Sequence, residues 1–483
     1  MPAGPPSRRS ALLVAGALAA AAAAIVTTLM IPPIVGLADN GDFDRVGTPS
    51  GLVSVSARPE DRFYRWMQPR FAYAARAADP SAFRTSESFL VEIAVAAAKL
   101  LSRAPRFDVR FDVRFLGAVH AALLLVALGM LVHAAGVLTA GAQATAAVLL
   151  VVFFTDPGYL APFQSLYSQT ASLLFLLLTA GIVALAIDRG RLAGAWMPAY
   201  FLAAALFVCS KPQESVQAIL LAPLGVRLAW PGTRRARAGA ALFAVLLIAL
   251  AWRYYRSAEA SSGWLARYNV LFLDLLPRSQ DPRRDLEEIG LDPSFARYAG
   301  VLPWAPDSPA KLPEVREFLE PRSGKTSPRV LYVRHPTRLA ARIVEAAQSS
   351  YVLQSPHLGN FSMESGAPPL ARAHGAWSAF RIRFSGLVWP MVLFAGTLAA
   401  CALTYVRAGP RGRLWREALA VLVAMAAGAF LVVTLGDAEL ETARHLYAFH
   451  TMCDLILAAD GVWIVQSLAS RRATPLGYRA RAR

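Results

Sequence analysis

Residues 11–46 read ALLVAGALAAAAAAIVTTLMIPPIVGLADNGDFDRV and decide the class of fold. Positions 11–38 carry no charged side chain over 28 residues, which is enough for a tilted helix to cross a hydrocarbon core about 30 Å thick. Arg8 and Arg9 precede this run, and a dense group of carboxylates follows it. The apolar core of a cleaved signal peptide spans only about 7–15 residues. The length of the run therefore favours a membrane helix that is retained.

Apolar runs recur along the rest of the chain. Of 483 residues, 56% are hydrophobic and 17% charged, and the mean hydropathy is +0.42, which is too apolar for a set of soluble domains. No Asp, Glu, Lys or Arg occurs from 115 to 155, and a gap near Gly136 to Gly141 divides this stretch into two passes. The pattern predicts an all-α membrane protein of about ten transmembrane helices, with further spans near 168–187, 194–210, 214–230, 238–255, 386–406, 417–435 and 446–468.

Basic residues predict the orientation of these spans. The chain has 49 Lys and Arg against 32 Asp and Glu, a net charge of +17. The arginines lie in short runs between apolar segments and not on one soluble face, so nucleic acid is rejected as a partner. If the N-terminus lies on the cytoplasmic side of a bacterial cytoplasmic membrane, the basic groups lie on that side too, as the positive-inside rule requires. These groups are at 8–9, 189–191, 234–237, 407–416 and in the C-terminal tail 471–483.

This topology divides the chain into four regions. Residues 1–255 form an N-terminal membrane region of seven helices that includes an external loop at 39–114. Residues 256–385 form an extracytoplasmic region of helices and loops, 386–470 a C-terminal membrane region of three helices, and 471–483 a cytoplasmic basic tail.

Two helical patterns lie outside the membrane spans. Ser86 to Arg103 has the apolar spacing of an amphipathic helix on the membrane surface, with a core helix of a small external domain as the alternative. A second helical pattern runs from about Thr337 to Tyr351.

Cysteine chemistry is excluded as the function. Cys209, Cys401 and Cys453 all lie within apolar runs and form no C-x-x-C pair. This pattern fits neither a disulfide framework nor a zinc site of the usual cysteine type.

The strongest candidate site follows the first helix directly, where Asp39, Asp42 and Asp44 lie within six positions. A carboxylate there can accept a proton from an incoming hydroxyl, while Arg45 keeps it ionised and Gly41 allows a tight bend. A polar interfacial turn without a catalytic role is the alternative. Asp42 is the predicted general base and Asp44 its rival. Asp39 and Arg45 are predicted to bind substrate, although Asp39 lies near the helix end.

Four short motifs lie on the predicted external side: Asn40-Gly41-Asp42-Phe43-Asp44-Arg45-Val46, Ser165-Leu166-Tyr167-Ser168, Ser210-Lys211-Pro212-Gln213 and Arg444-His445-Leu446. With the Asp-bearing first loop and the interfacial helix, they resemble the GT-C superfamily of integral-membrane glycosyltransferases, and more closely the bacterial hexosyltransferases associated with surface-layer glycan assembly. The resemblance implies a GT-C-like fold over nearly the whole chain and a lipid-linked sugar donor.

Topology independently favours a lipid-linked donor. Nucleotide sugars are confined to the cytoplasm, whereas the dense polar sites face outward, where a polyprenyl phosphate sugar can reach them. The expected function is inverting transfer of a sugar from polyprenyl phosphate to a hydroxyl of a cell-surface glycan or lipid.

The residues expected to bind the substrates belong to the motifs or are cations and polar groups in the external regions. Snorkelling is the alternative for Lys211, and pairing with Glu439 or Glu441 is the alternative for Arg444. The predicted set is Tyr167, Gln169, Lys211, Gln213, Arg334, His335, His357, Arg444 and His445.

No cofactor or metal ligand is assigned with certainty. Asp42-Phe43-Asp44 is also a D-x-D sequence, whose hard oxygen ligands suit Mg²⁺ or Mn²⁺ against a phosphate, so a divalent cation stays open.

Two other functions compete with glycosyl transfer. One is a transporter or flippase of lipid-linked glycans, for which two related halves are typical; no internal repeat is found. The other is an O-antigen ligase-like enzyme, which takes an oligosaccharide from a diphosphate lipid and relies on external arginines and a histidine. The carboxylates of the first loop favour the glycosyltransferase.

The topology can be tested by cysteine labelling in intact cells. An impermeant thiol reagent should label a cysteine placed at Ser323, in the region expected outside, and should spare one placed in the loop 407–416. The reverse pattern would overturn both the orientation and the argument for a lipid-linked donor.

Overall fold

The computed structural model describes residues 7–56, 58–75, 84–101, 110–321, 324, 326–384, 386, 388–436 and 442–472. The strands are β1 (Leu52–Ser54), β2 (Arg70–Tyr73) and β3 (Phe111–Asp112). In chain order, the α-helices are α1 (Arg8–Leu29), α2 (Phe43–Ser50), α3 (Pro59–Arg62), α4 (Ser86–Leu101), α5 (Val113–Ala134), α6 (Ala140–Phe154), α7 (Pro157–Leu160), α8 (Gln169–Asp188), α9 (Trp196–Val208), α10 (Ala218–Ala229), α11 (Arg234–Tyr268), α12 (Pro282–Ile289), α13 (Pro313–Leu319), α14 (Val330–Arg334), α15 (Pro336–Ser349), α16 (Ala376–Ile382), α17 (Trp389–Tyr405), α18 (Pro410–Gly436), α19 (Thr442–His445) and α20 (Tyr447–Arg472).

The long apolar helices confirm an all-α membrane protein. Within the described residues, six helices are long and apolar enough to cross a membrane: α1, α5, α8, α11, α18 and α20. Helix α6 and the segment Pro157–Gln164, bent by 58°, form a seventh candidate span. Shorter apolar helices α9, α10 and α17 overlap the remaining predicted spans.

Two predicted boundaries are wrong. Helix α1 ends at Leu29 and not near 38, because Pro32 and Pro33 have no backbone N–H and restrict the residue before them. Helix α11 runs unbroken to Tyr268, so the boundary predicted at 255 lies inside a helix. Ser323 and the tail from 473 onward lie outside the described residues. Ser294, exposed in the same external region, is an equivalent labelling position.

The first loop, 39–114, contains a small antiparallel sheet that the sequence did not predict. The strand order is β1-β2-β3, with Leu52 opposite Tyr73 and Phe71 opposite Phe111. Strands of two to four residues carry too little periodicity to be recognised in sequence. They form because their inward side chains join a separate core with Val91 of α4.

The predicted amphipathic helix is present as α4. Val91, Ala94 and Val95 are buried, whereas Phe89 and Leu100, which belong to the apolar spacing that predicted the helix, are mostly exposed. One side of α4 therefore packs on the first loop, and the opposite side presents apolar groups, as a helix at the membrane surface does.

The external segment near 355–361 docks against the chain that follows α1. The amides of Gly36 and Ala38 donate to the carbonyls of Asn360 and Gly359, each at 2.9 Å. A Cβ at Gly359 would lie 2.1 Å from the carbonyl oxygen of Arg65, so this close approach requires glycine. The contact holds the first loop against the region 256–385.

A buried polar network joins α16 to the last membrane helix, α20. Asp454 of α20 accepts hydrogen bonds from Arg381 (2.7 Å), the Tyr159 hydroxyl (2.6 Å) and the Trp377 indole (2.9 Å). Removing one partner of such a buried ion pair costs about 3–5 kcal/mol. The network therefore fixes α16 against α20.

Candidate functional site

The turn that follows α1 is built on the buried carboxylate of Asp39. Its Oδ1 accepts hydrogen bonds from the amides of Gly41 (2.7 Å) and Phe43 (3.2 Å), and its Oδ2 lies 3.2 Å from Nε of Arg62. Gly41 has a φ of +105°, which favours glycine. Burial raises the pKa of Asp39, and the two amides and Arg62 partly offset this rise. Asp39 lies beneath the turn, which assigns it a structural role in place of the predicted substrate contact.

Tyr167 fastens this turn to the membrane bundle. Its hydroxyl donates to the carbonyl of Ala38 (2.8 Å) and accepts from the amide of Asn40 (2.9 Å). The Phe43 ring meets the Tyr167 ring edge-on, with 4.7 Å between centroids. Tyr167 lies just before α8 and binds the turn through its hydroxyl. The motif that contains Tyr167 therefore holds the first loop against α8.

Asp42 precedes α2 but makes no capping hydrogen bond with its side chain, which leaves the carboxylate available for other partners. Its Oδ2 lies 2.5 Å from Nη1 of Arg444, and its Oδ1 lies 3.1 Å from Nη1 of Arg45. The Asp42 side chain is 24% exposed and that of Arg444 8%. The Arg444 guanidinium also stacks on the Tyr167 ring, 4.8 Å from its centroid. The predicted base and a predicted phosphate-binding cation are thus in direct contact.

These neighbours keep Asp42 ionised. Burial by itself would raise the pKa of Asp42, but the positive charges of Arg444 and Arg45 outweigh it and hold the pKa well below its ordinary value. A carboxylate with so low a pKa is a weak base. Asp42 can accept a proton efficiently only when Arg444 turns toward another anion.

Asp44 has a different partner. Its Oδ2 lies 2.5 Å from Nη2 of Arg62, and its side chain is 52% exposed. Arg62 therefore bridges Asp39 and Asp44, whereas Asp42 pairs with Arg45 and Arg444. The two carboxylates of the D-x-D sequence are held by different arginines, which gives no support to a shared metal ion.

The loop between α9 and α10 meets the segment that carries Arg444. Nε2 of Gln213 donates to the carbonyl of His445 (2.7 Å), and Lys211 of the same loop is largely buried. Ser210 is hydrogen-bonded to Ser172 of α8 (2.7 Å). This loop is thus fixed on one side to α8 and on the other to His445.

Glu214 is a candidate that the sequence reasoning missed. It is 1% exposed, and burial raises its pKa above the ordinary value, against the lowering effects of Lys211 and of the Gln213 hydrogen bond. Glu214 and Asp42 thus have pKa values displaced in opposite directions, which is frequent at sites that transfer protons. The only signal in the sequence is its position directly after the Ser210-Lys211-Pro212-Gln213 motif.

Gln169, the first residue of α8, is buried. With Arg444 and Tyr447 it lines a small void at this end of the bundle. Its side chain therefore belongs to the packing around Arg444. Glu439 and Glu441, considered as partners of Arg444, lie outside the described residues.

Three predicted residues belong to other parts of the external region. Arg334 and His335 bind the carboxylate of Glu288, at 3.2 Å and 3.1 Å, whereas the cations that act on Asp42 are Arg444, Arg45 and His445. His357 is exposed on the segment that docks against the first loop. Arg334 and His335 were expected to bind substrate together with Arg444. Their partner in the structure is Glu288, which precedes them by more than forty positions and could not be identified from spacing.

Among the described residues, one group has the geometry to hold a metal ion: Asp285, Glu288 and His335, with ligand atoms within 4.8 Å of one another. Both carboxylates already pair with arginines, Asp285 with Arg338 at 2.7 Å and Glu288 with Arg334. A metal ion would have to displace these guanidinium groups.

The long apolar helices define an integral membrane protein, and the described segments of 256–384 between them are folded into further helices and loops. The chain matches the family model of the YfdI N-terminal transmembrane domain over residues 7–479 and belongs to that family. No curated protein matches the chain.

The structural role of Asp39 is testable by substitution. Asp39→Ala removes the acceptor of two amides, and each buried amide left unpaired should cost about 1–3 kcal/mol of stability. Asp39→Asn retains an acceptor oxygen but loses the ion pair with Arg62, so its loss should be smaller. Thermal unfolding of the purified variants in detergent measures both losses. Unfolding of Asp39→Ala at the wild-type temperature would contradict this role.

Proposed function

We propose that the protein is a GT-C-type glycosyltransferase that transfers a sugar, with inversion, from a polyprenyl phosphate donor to a hydroxyl of a cell-surface glycan or lipid. The ion pair between Asp42 and Arg444 carries the proposal. It places a carboxylate that can accept a proton beside a guanidinium that can bind a phosphate.

The spatial arrangement of the four sequence motifs supports the proposal. Arg444 pairs with Asp42 and stacks on the Tyr167 ring, and the Tyr167 hydroxyl is hydrogen-bonded to Asn40 in the turn that carries Asp42, so three distant parts of the chain meet here. Gln213 joins the fourth motif to them through His445. Motifs that resemble those of one enzyme family thus meet at one place.

The proposed location is the outer face of a bacterial cytoplasmic membrane. The arginine runs favour placing the loops that carry Asp42, Lys211 and Arg444 outside. A polyprenyl phosphate sugar presents its anionic phosphate at the membrane surface, and buried cations at external helix ends suit such a ligand.

The reaction follows from the exchange of partners at Arg444. The donor phosphate binds Arg444 and withdraws its charge from Asp42, whose pKa and basicity then rise. Asp42 takes the proton of the acceptor hydroxyl as the acceptor oxygen bonds to the anomeric carbon. The bond from that carbon to the phosphate oxygen breaks, and polyprenyl phosphate leaves with the electron pair and one more negative charge. Arg444 stabilises this added charge in the transition state.

A donor panel distinguishes this function from its alternatives. The purified protein is incubated with polyprenyl phosphate monosaccharides and a cell-envelope extract as acceptor, and released polyprenyl phosphate is measured. Release that requires the acceptor supports the transferase. Release of a polyprenyl diphosphate from a diphosphate-linked oligosaccharide would favour the ligase, and movement of an intact lipid-linked glycan across proteoliposomes without release would favour the flippase.

Asp42 and Arg444 should differ in which step they affect. Asp42→Asn should lower the transfer rate by about 10²–10⁴-fold, as expected for a general base, while donor affinity is retained or improved because Arg444 loses its competing partner. Arg444→Gln should weaken donor binding about tenfold or more. Asp44→Asn, two positions away and paired with Arg62, is the matched control and should change both quantities little. Normal turnover in Asp42→Asn would move the base to another group, with Glu214 the first to test.

The pH profile provides a separate test of the ion pair. Because Arg444 and Arg45 hold the pKa of Asp42 low in the protein without donor, Asp42 should stay ionised there, and kcat/KM for the donor should show no loss between about pH 8 and pH 5. In Arg444→Gln, burial is opposed by less positive charge, so the pKa of Asp42 rises and the residual rate should fall as the pH is lowered. Parallel wild-type and variant profiles would show that Arg444 does not control this carboxylate.

A further inference from the structure

An apolar cavity of about 420 Å³ lies in the half of the helical bundle remote from Asp42. On α20 its lining extends from Leu455 to Gln466. This stretch lies roughly 12–28 Å along the helix from Tyr447, which adjoins the Asp42 site. The cavity is therefore a separate site, and an inference about it does not depend on the proposed function.

The walls of the cavity are almost entirely aliphatic and aromatic. Its volume falls in the range of about 300–1,000 Å³ that is typical of ligand pockets. Water gains few hydrogen bonds in a space with such walls. The hydrocarbon chain of a lipid forms no hydrogen bonds and is compatible with an apolar lining. Representative lining residues from five helices are Leu131, Leu150, Val183, Leu422, Leu455 and Trp463.

The charged groups of the lining lie at one end. Arg411 and Arg416 of α18 line that end together with Asp188 at the end of α8, so the charged lining has a net positive charge. Arg416 donates to Thr404 (2.7 Å) and to the carbonyl of Gly412 (2.8 Å), and it stacks on Trp463 at 5.2 Å. Trp415 lines the same end, and tryptophan is enriched at the level of lipid headgroups.

The geometry points to a binding site for an anionic glycerophospholipid, with an acyl chain in the cavity and the headgroup phosphate against Arg411 and Arg416. Arginine binds phosphate through several N–H donors at once. The arginine runs predict that this end of the bundle faces the cytoplasm. The lipid therefore comes from the leaflet opposite to the Asp42 site.

The test is native mass spectrometry of the full chain in detergent, titrated with phosphatidylglycerol and with phosphatidylcholine of the same acyl chains. Wild type should bind phosphatidylglycerol about tenfold more tightly or better, and Arg411→Gln/Arg416→Gln should remove most of this preference. The matched control is Arg407→Gln/Arg413→Gln. It removes two charges from the same segment, 407–416, at residues that do not line the cavity, and it should keep the preference for phosphatidylglycerol.

A second variant tests the acyl chain. Ala458→Trp fills part of the cavity and leaves every charge in place, so it should weaken binding of both lipids about equally. Its folding is checked by thermal unfolding. Equal affinity of wild type for the two lipids, or an equal loss in both double variants, would overturn the site in favour of general attraction between basic loops and anionic lipids. Unchanged binding by folded Ala458→Trp would overturn the placement of the acyl chain.

Discussion

The ion pair between Asp42 and Arg444 joins residues 402 positions apart, and the geometry of the site around the turn after α1 depends on it. Neither side chain belongs to a long helix: Asp42 follows α1, and Arg444 precedes α20. A partly buried charge without a partner is costly, so each residue constrains where the other can lie. The ends of the first and last membrane helices are thereby held to a common site.

Several further contacts support this ion pair. The amides that bind Asp39 shape the turn, and the hydroxyl of Tyr167 holds the same turn to α8. The Arg444 guanidinium stacks on the Tyr167 ring, which restricts where its charge can lie. The docking of Gly359 against the first loop adds a constraint from the external segment. Catalytic groups on loops need such support, because side chains must be held within about 0.5 Å of a productive position.

Membership of the YfdI N-terminal transmembrane domain family agrees with the helical membrane architecture. It is the site that carries the functional argument, since a fold alone does not specify an activity. At this site a carboxylate of lowered pKa, a guanidinium and a buried carboxylate of raised pKa lie in neighbouring segments. A phosphate bound beside Arg444 would leave the guanidinium charged and would raise the pKa of both carboxylates, which is how the proposed reaction would couple donor binding to proton transfer.

The membrane helices and the acidic turn after the first of them could be predicted from the sequence alone. Length and apolarity of a span are local properties, and so is the ability of Gly41 to bend the chain, which is why these features could be predicted. The tertiary structure decided the partners of the charged side chains: Asp42 with Arg444, Asp44 with Arg62, and Arg334 and His335 with Glu288. It also decided the burial that raises the pKa of Glu214. Charge pairing and burial depend on contacts between distant segments, and composition, periodicity and spacing along one chain carry no record of those contacts.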